Sequence, residues 1–201
     1  MPELRRAGTA DVLALSAMLA RGFRDDPVAR FLFPDDRYRF RRLQPFFDLQ
    51  LRHVYLPRGE VYTTTELNAV AMWLSPEAPQ LPMQDALALL RLTALLGTRV
   101  LLTRRLARFL AVRHPREPHY YLGTIGVEPS RQREGIASAL LAQGLSNCDD
   151  KSLSAYLECS SAQAIPFYER HGFVVEEEVL TPMDGPRLWL MKRSPMRPSA
   201  R

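Results

Sequence analysis

The chain has 201 residues, 46% of them apolar and 24% charged, which suits one folded domain with a buried core and excludes a largely disordered protein. Its formal charge of +5 comes almost wholly from arginine, since lysine occurs only at Lys151 and Lys192, and so diffuse an excess makes no nucleic-acid-binding motif. Two cysteines, Cys148 and Cys159, are too few for a disulfide framework.

A soluble cytoplasmic protein is expected. Met1 to Arg6 lacks the apolar segment of a signal peptide, and the apolar stretch Ala86 to Leu96 is broken by Arg91, short of a membrane span. No membrane or nucleic-acid partner is expected, and monomer and homodimer stay open.

In chain order, Glu3 to Arg6 reads as a short strand, and Thr9 as the N-cap of a helix with apolar positions at Val12, Leu13, Leu15, Met18 and Leu19. Asp25-Asp26-Pro27 breaks that helix, Phe31 to Asp36 reads as a second loop, and helix resumes over Arg39 to Leu51. Glu60 to Thr65 and Ala69 to Leu74 form a hairpin around Glu66-Leu67-Asn68. Met83 to Leu110 is leucine-rich and helical, divided near Gly97-Thr98, with Arg99, Arg104, Arg105, Arg108 and Arg113 as a solvated face.

The second half alternates more regularly. Tyr120 to Val127 is a strand, Gly135 to Ser146 a helix, Ala155 to Cys159 a strand, and Ala162 to Arg170 a short helix with Pro166 in its first turn. Val174 to Leu180 and Arg187 to Lys192 close the fold as a hairpin. The domain is expected to span 1–194, with a helical insertion at about 83–111 and a disordered tail at 195–201. Phe31, Phe33, Phe46 and Phe47 read as core.

The most informative segment is Tyr120 to Leu141, YYLGTIGVEPSRQREGIASALL. A strand runs into a basic loop and then an alanine-rich helix, whose first amides are unpaired and carry the positive end of the helix dipole, a ready phosphate site. Gly135 would let backbone approach such a ligand closely.

Gln132-x-x-Gly135-x-Ala137 after Ile125-Gly126-Val127-x-Pro129 resembles the acetyl-CoA loop of GNAT-superfamily N-acetyltransferases. Phe167 to Phe173, FYERHGF, about thirty residues on, resembles the superfamily's second signature. Ala69 to Trp73, Pro115 to Pro118, Thr124 to Val127, Leu157-Glu158, Ile165 to Arg170 and Asp184 to Arg187 are similar to one branch, puromycin N-acetyltransferase and its actinobacterial relatives. The chain departs from the superfamily pattern at Arg133 and Glu134, where Gly and a basic residue are common, and at Ser161, where Asn is common.

The resemblance implies an α+β fold: a mixed, mostly antiparallel sheet splayed at its middle, helices on both faces, and a helical pair inserted before the central strand. It implies acetyl-CoA as co-substrate, a small primary amine as acceptor, conceived as an aminonucleoside antibiotic such as puromycin, and no metal. By the same resemblance Thr124, Ile125, Gly126 and Val127 would offer backbone to pantetheine. Arg131, Gln132, Arg133, Glu134, Gly135, Ile136, Ala137 and Ser138 would hold the diphosphate, and Ser161 and Phe167 would flank the carrier.

Tyr168 is then the expected general acid for the leaving thiolate, at a cost of roughly 2 kcal/mol for full proton transfer from a phenol to a thiolate. Glu158 is the leading base or amine anchor, followed by His119 and Glu117. His171 at a helix C-terminus needs no catalytic role, and His114 and His119 lack a metal-ligand spacing. Two other classes stay open at this stage. One is a sensor that holds acyl-CoA without turnover, favoured by Glu134 and Ser161. The other is a nucleic-acid-associated module built on the arginine-rich helix, against which the lack of interleaved aromatic residues counts.

Overall fold

A computed structural model describes residues 2–77 and 86–196. Seven strands form one sheet in the order β1-β2-β3-β4-β5-β7-β6: β1 Leu4–Arg6, β2 Gly59–Thr64, β3 Ala69–Leu74, β4 His119–Val127, β5 Ser154–Cys159, β6 Val174–Leu180 and β7 Arg187–Arg193. Every neighbouring pair is antiparallel except β4 with β5, which is parallel. That exception sits at the middle of the sheet. The architecture is the mixed, mostly antiparallel α+β fold expected above.

Helices cover both faces. Against one face lie α1 Val12–Gly22, α2 Pro27–Leu32 and α3 Asp36–Gln50, packed through Leu15, Leu19, Phe33, Phe47 and Leu51 onto Val61, Val70 and Met72. Against the other lie α7 Ile136–Asp150 and α8 Ile165–Glu169, where Leu140, Leu141 and Phe173 pack on Trp73, Tyr120, Leu122 and Leu157. Strand alternation divides these clusters: Leu157 and Cys159 of β5 face α7, so Tyr156 and Glu158 face the other side. The four phenylalanines expected as core all join the first cluster.

Local capping explains where sequence reading went astray. Thr9 is not the cap of α1; it opens a 3-10 turn, Thr9–Asp11, and Asp11 accepts a 2.8 Å bond from the Gly8 amide at its start. Leu13 is exposed and does not belong to the core face. α1 already ends at Gly22, and Asp26 begins α2, accepting from the amides of Val28 and Ala29 at 2.8 and 3.1 Å, so Phe31 and Leu32 are helical rather than loop. Asp35 caps α3 three residues earlier than the apolar period suggests. After α3 the backbone widens into a π turn, Leu51–Tyr55, and ends in the short α4 Leu56–Arg58.

The inserted pair is α5 Ala86–Leu96 and α6 Val100–Ala111, parted by Gly97 at φ +55°. The start expected at Met83 lies outside the described residues. The run Ala86–Ala111 does pass the length and composition test for a membrane span, at mean hydropathy 1.6 and 11% buried, because helix continues past Gly97. Leu92, Leu95, Leu96 and Val100 nevertheless pack on the core, and Phe109 and Leu110 pack near Tyr121 and Tyr156. Nor are all its arginines a solvated face. Arg99 donates to the Phe31 carbonyl at 3.1 Å, and the Arg113 guanidinium lies 3.7 Å from the centre of the Phe109 ring.

Candidate active site

Strands β4 and β5 pair over three residues only, His119 with Ser154, Tyr120 with Ala155 and Tyr121 with Tyr156. Beyond Tyr121 the two strands part. Residues from Leu122 to Val127 pair with β3 on one side, while β5 offers them no partner on the other. A strand edge in mid-sheet with free N–H and C=O groups is a place for an extended, amide-bearing ligand to add itself as a strand. Gly126 lies deepest: a Cβ there would come within 2.7 Å of Leu19 and 3.0 Å of Phe23, so α1 closes against this edge. Ile125 stays partly exposed, and Val127 is buried with its carbonyl 3.5 Å from the Gln132 amide nitrogen.

The loop after β4 leads to the start of α7. Arg133 has φ +68° and Gly135, at the N-cap, φ +80°, two left-handed residues that turn the chain sharply. The first bond into the helix joins the Ala139 amide to the Gly135 carbonyl at 3.1 Å, so the amides of Ile136, Ala137 and Ser138 have no acceptor among the described residues. Apart from its own chain neighbours, no described residue lies within 4 Å of where a Gly135 Cβ would stand. Free amides, a positive helix end and an open approach over a glycine fit an anionic diphosphate. Ile136 can offer only its amide there, because its side chain is in the core.

The Glu134 carboxylate lies 2.9 Å from Arg131, which also reaches Glu66 at 3.2 Å, so two carboxylates share one guanidinium at this loop. Arg133 is exposed and lies beside the same turn. Together the unpaired edge of β4 and the amides of α7 fit the pantetheine arm and diphosphate of coenzyme A.

Tyr168 stands on α8, its ring edge-on to Phe167 at 5.1 Å and to Phe173 at 5.9 Å. Among the described residues its hydroxyl has no hydrogen-bond partner. Burial, with the charges of Cys159 and Asp26 nearby, raises the phenol above its ordinary value, so it holds its proton at neutral pH. Such a group is a donor, not a base. Asp26 is fixed by a hydrogen bond from the Ser160 hydroxyl, which ties the α1–α2 connection to the end of β5. Ser161 directs its carbonyl to the Cys159 thiol and the Ala164 amide, while its side chain makes no cap. Phe167 also stacks with His171, whose Nδ1 lies 2.7 Å from the Phe167 carbonyl.

Glu158 occupies the opposite face of β5, two residues past the last paired rung. Its side chain is 8% exposed; Oε2 accepts from the Tyr121 hydroxyl at 2.6 Å, and His114 Nε2 lies 3.0 Å from Oε1 without hydrogen-bond alignment. Tyr156 and Tyr55 stand close enough for the Glu158 charge to add to burial in raising both phenols. Tyr55 comes from the π turn and reaches this point because Gly123 has no side chain: a Cβ there would lie 1.8 Å from the Tyr55 hydroxyl. The carboxylate thus sits in a cage of phenols and one imidazole.

The two alternative bases fall elsewhere. His119 is buried, with Nδ1 2.8 Å from the Glu117 carbonyl, and desolvation leads in lowering its affinity for a proton. Glu117 is exposed and pairs with Lys192 at 3.6 Å. Along the sequence His114 is weighed only as a metal ligand and Tyr121 only as strand, and Tyr55 lies in no motif, so none has a role at this carboxylate before the fold is known. Among the described residues no group of three metal-ligating side chains occurs.

Residues 61–173, more than half of the chain, match the family model described as the Acetyltransferase (GNAT) family. An uncharacterized N-acetyltransferase of Schizosaccharomyces pombe is 26% identical over 95% of this chain and 83% of its own length. Among solved structures, one described as histone acetyltransferase HPA2 and related acetyltransferase, from Corynebacterium glutamicum, is 27% identical over 99% of both chains with a TM-score of 0.77. An N-acetyltransferase from Staphylococcus aureus shares the fold at 14% identity, covering 94% of this chain and 98% of its own, with a TM-score of 0.64.

Proposed function

The chain belongs to the GNAT acetyltransferase family, and from that premise we propose that it moves the acetyl group of acetyl-CoA onto a primary amine of a small molecule. The supporting observation is the parting of β4 from β5 after Tyr121, which leaves the Leu122–Val127 edge unpaired and runs on to the open amides of α7. Tyr168 is the proton donor to the departing thiolate, and Glu158, on the other side of the split, takes the proton from the amine. A phenol held above its ordinary value keeps its proton until the thiolate develops, and its hydrogen bond to the sulfur offsets part of the cost of the transfer.

The amine's own basicity limits the acceptor. A lysine-like amine is almost wholly protonated at neutral pH, a handicap of more than about 4 kcal/mol, whereas an α-amine loses only about 1 kcal/mol. One buried carboxylate suits the second kind. An aminonucleoside of the puromycin type, with such an amine, is the first acceptor to try, supported by the sequence resemblance to puromycin N-acetyltransferase. A reduced, cytoplasmic setting fits the two cysteines, both free and buried.

The test is to supply acetyl-CoA with a panel of small amines, puromycin included, and follow thiol release. Cys148 is pushed up to about 12 by burial and Cys159 is also raised, so the protein's own thiols give little background. Acceptor-dependent release carries the proposal. Tight coenzyme A binding with no release across the panel would replace it with a sensor role, a reading that the Arg131–Glu134 pairing makes less attractive.

A further inference from the structure

We infer that His114 relays to solvent the proton that Glu158 takes from the acceptor amine, so that the inserted helical pair serves the reaction through its last turn. The inference rests on the acetyl-transfer reading above. His114 lies three residues past α6, on a turn closed by its own amide and that of Arg113, both donating to the Leu110 carbonyl at 3.1 and 2.8 Å. The insertion therefore delivers the imidazole to β4 and β5. It stands 4.9 Å from the Tyr121 ring, 4.7 Å from Tyr156 and 5.6 Å from His119.

The argument is one of elimination among the groups around Glu158. Its Oε2 is taken by Tyr121, while the buried Oε1 makes no hydrogen bond and has His114 Nε2 at 3.0 Å. The phenols of Tyr55, Tyr121 and Tyr156 are all raised by burial and by the Glu158 charge, so they keep their protons and accept none. His119 is inside, disfavoured as a cation and held at its Nδ1 by the Glu117 carbonyl. Arg113 pairs with Glu177 at 3.6 Å and Lys192 with Glu117 at 3.6 Å, so the nearby fixed charges are matched outside the cage. Among the described residues, only His114 combines a basic nitrogen next to Glu158 with an opening to solvent, its side chain 17% exposed against 8% for the carboxylate.

The protons balance. The acceptor ammonium gives one proton to the Glu158 carboxylate, which passes it to His114 Nε2, and the imidazolium releases it to water. The neutral amine forms its bond to the acetyl carbon as the carbon–sulfur bond breaks. The electron pair of the broken bond goes to sulfur, which takes the Tyr168 proton, and the second nitrogen proton returns through solvent to restore the Tyr168 phenol. One proton leaves per acetyl group transferred from a protonated amine.

His114→Ala and His114→Gln separate a relay from a structural part. With an acceptor that the native chain acetylates, kcat falls at least about tenfold in both variants while KM for acetyl-CoA stays within about twofold. Added imidazole restores a large part of the His114→Ala loss, in proportion to its neutral fraction as pH is varied. Full activity in His114→Gln, which keeps a side-chain donor but cannot carry a proton, overturns the inference; so does a loss that imidazole leaves untouched in a folded variant. Native turnover is measured first: if no amine is acetylated, the acetyl-transfer reading fails and this inference with it, whereas native turnover beside an active His114→Gln sinks the relay alone.

Discussion

The hydroxyl of Tyr121 donates a 2.6 Å hydrogen bond to Oε2 of Glu158, joining β4 to β5 just past the rung where their backbone pairing ends. The split in the sheet is thus closed by a side-chain bond where the main chain stops providing one. Removing the donor leaves a buried carboxylate oxygen unpaired, at about 1–3 kcal/mol. Tyr121→Phe is expected to lose that much in urea unfolding, and to lose less when Glu158 is already Gln. An equal loss in both backgrounds would show that the bond is not the cause.

Tyr168 carries a hydroxyl with no partner among the described residues, so deleting it costs the folded state little. Tyr168→Phe should keep its stability and its coenzyme A affinity within about twofold while kcat drops roughly a hundredfold, a usual contribution for one positioned acid. Steady-state kinetics and calorimetry on the same preparation separate the two effects. Undiminished turnover would remove Tyr168 from the reaction.

Gly135 faces open space at φ +80°. Aspartate tolerates left-handed backbone better than most residues, so Gly135→Asp should fold with a stability loss of about 1 kcal/mol. Its carboxylate would stand where the diphosphate is expected, and coenzyme A affinity should fall at least about tenfold, or 1.4 kcal/mol. Calorimetric titration with unchanged affinity would place the anion elsewhere.

Asp11 gives the pH dependence a definite sign. Its hydrogen bonds from Arg5 lead in lowering its pKa from 3.8 to about 2, with the Gly8 amide adding to them. A carboxyl that ionises more readily in the folded chain stabilises it above about pH 4, and that contribution disappears as pH falls through about 2. The full lowering corresponds to about 2 kcal/mol, but Arg5 is 39% exposed and solvent screening leaves about 1 kcal/mol. Asp11→Asn should therefore be less stable than the native chain at neutral pH, with the gap closing between about pH 4 and pH 2. A gap that persists below pH 2 would point to packing instead.

Much of this protein can be read along the chain because the signals are local. The alternation in Tyr120 to Val127, the glycine at 135 and the FYERHGF run each act over a few residues, and each predicted element has a counterpart at nearly the expected place. Caps were less legible. Asp26 and Asp35 read as helix breakers along the chain, because a short polar side chain that disfavours a helix interior is the same one that caps a helix start.

What surrounds Glu158 could not be read that way. Tyr55 arrives from a π turn, His114 from the end of an insertion, Tyr121 from the central strand and Tyr156 from Glu158's own strand, in four segments with no shared motif. Sequence alone set the strand, the glycine turn and the helix that can receive a diphosphate, since these follow from backbone conformation and short-range patterning. Only the folded sheet brought His114 and Tyr121 to one carboxylate, because that meeting depends on strand order and on where β4 leaves β5, and both are decided by packing between residues far apart in the chain.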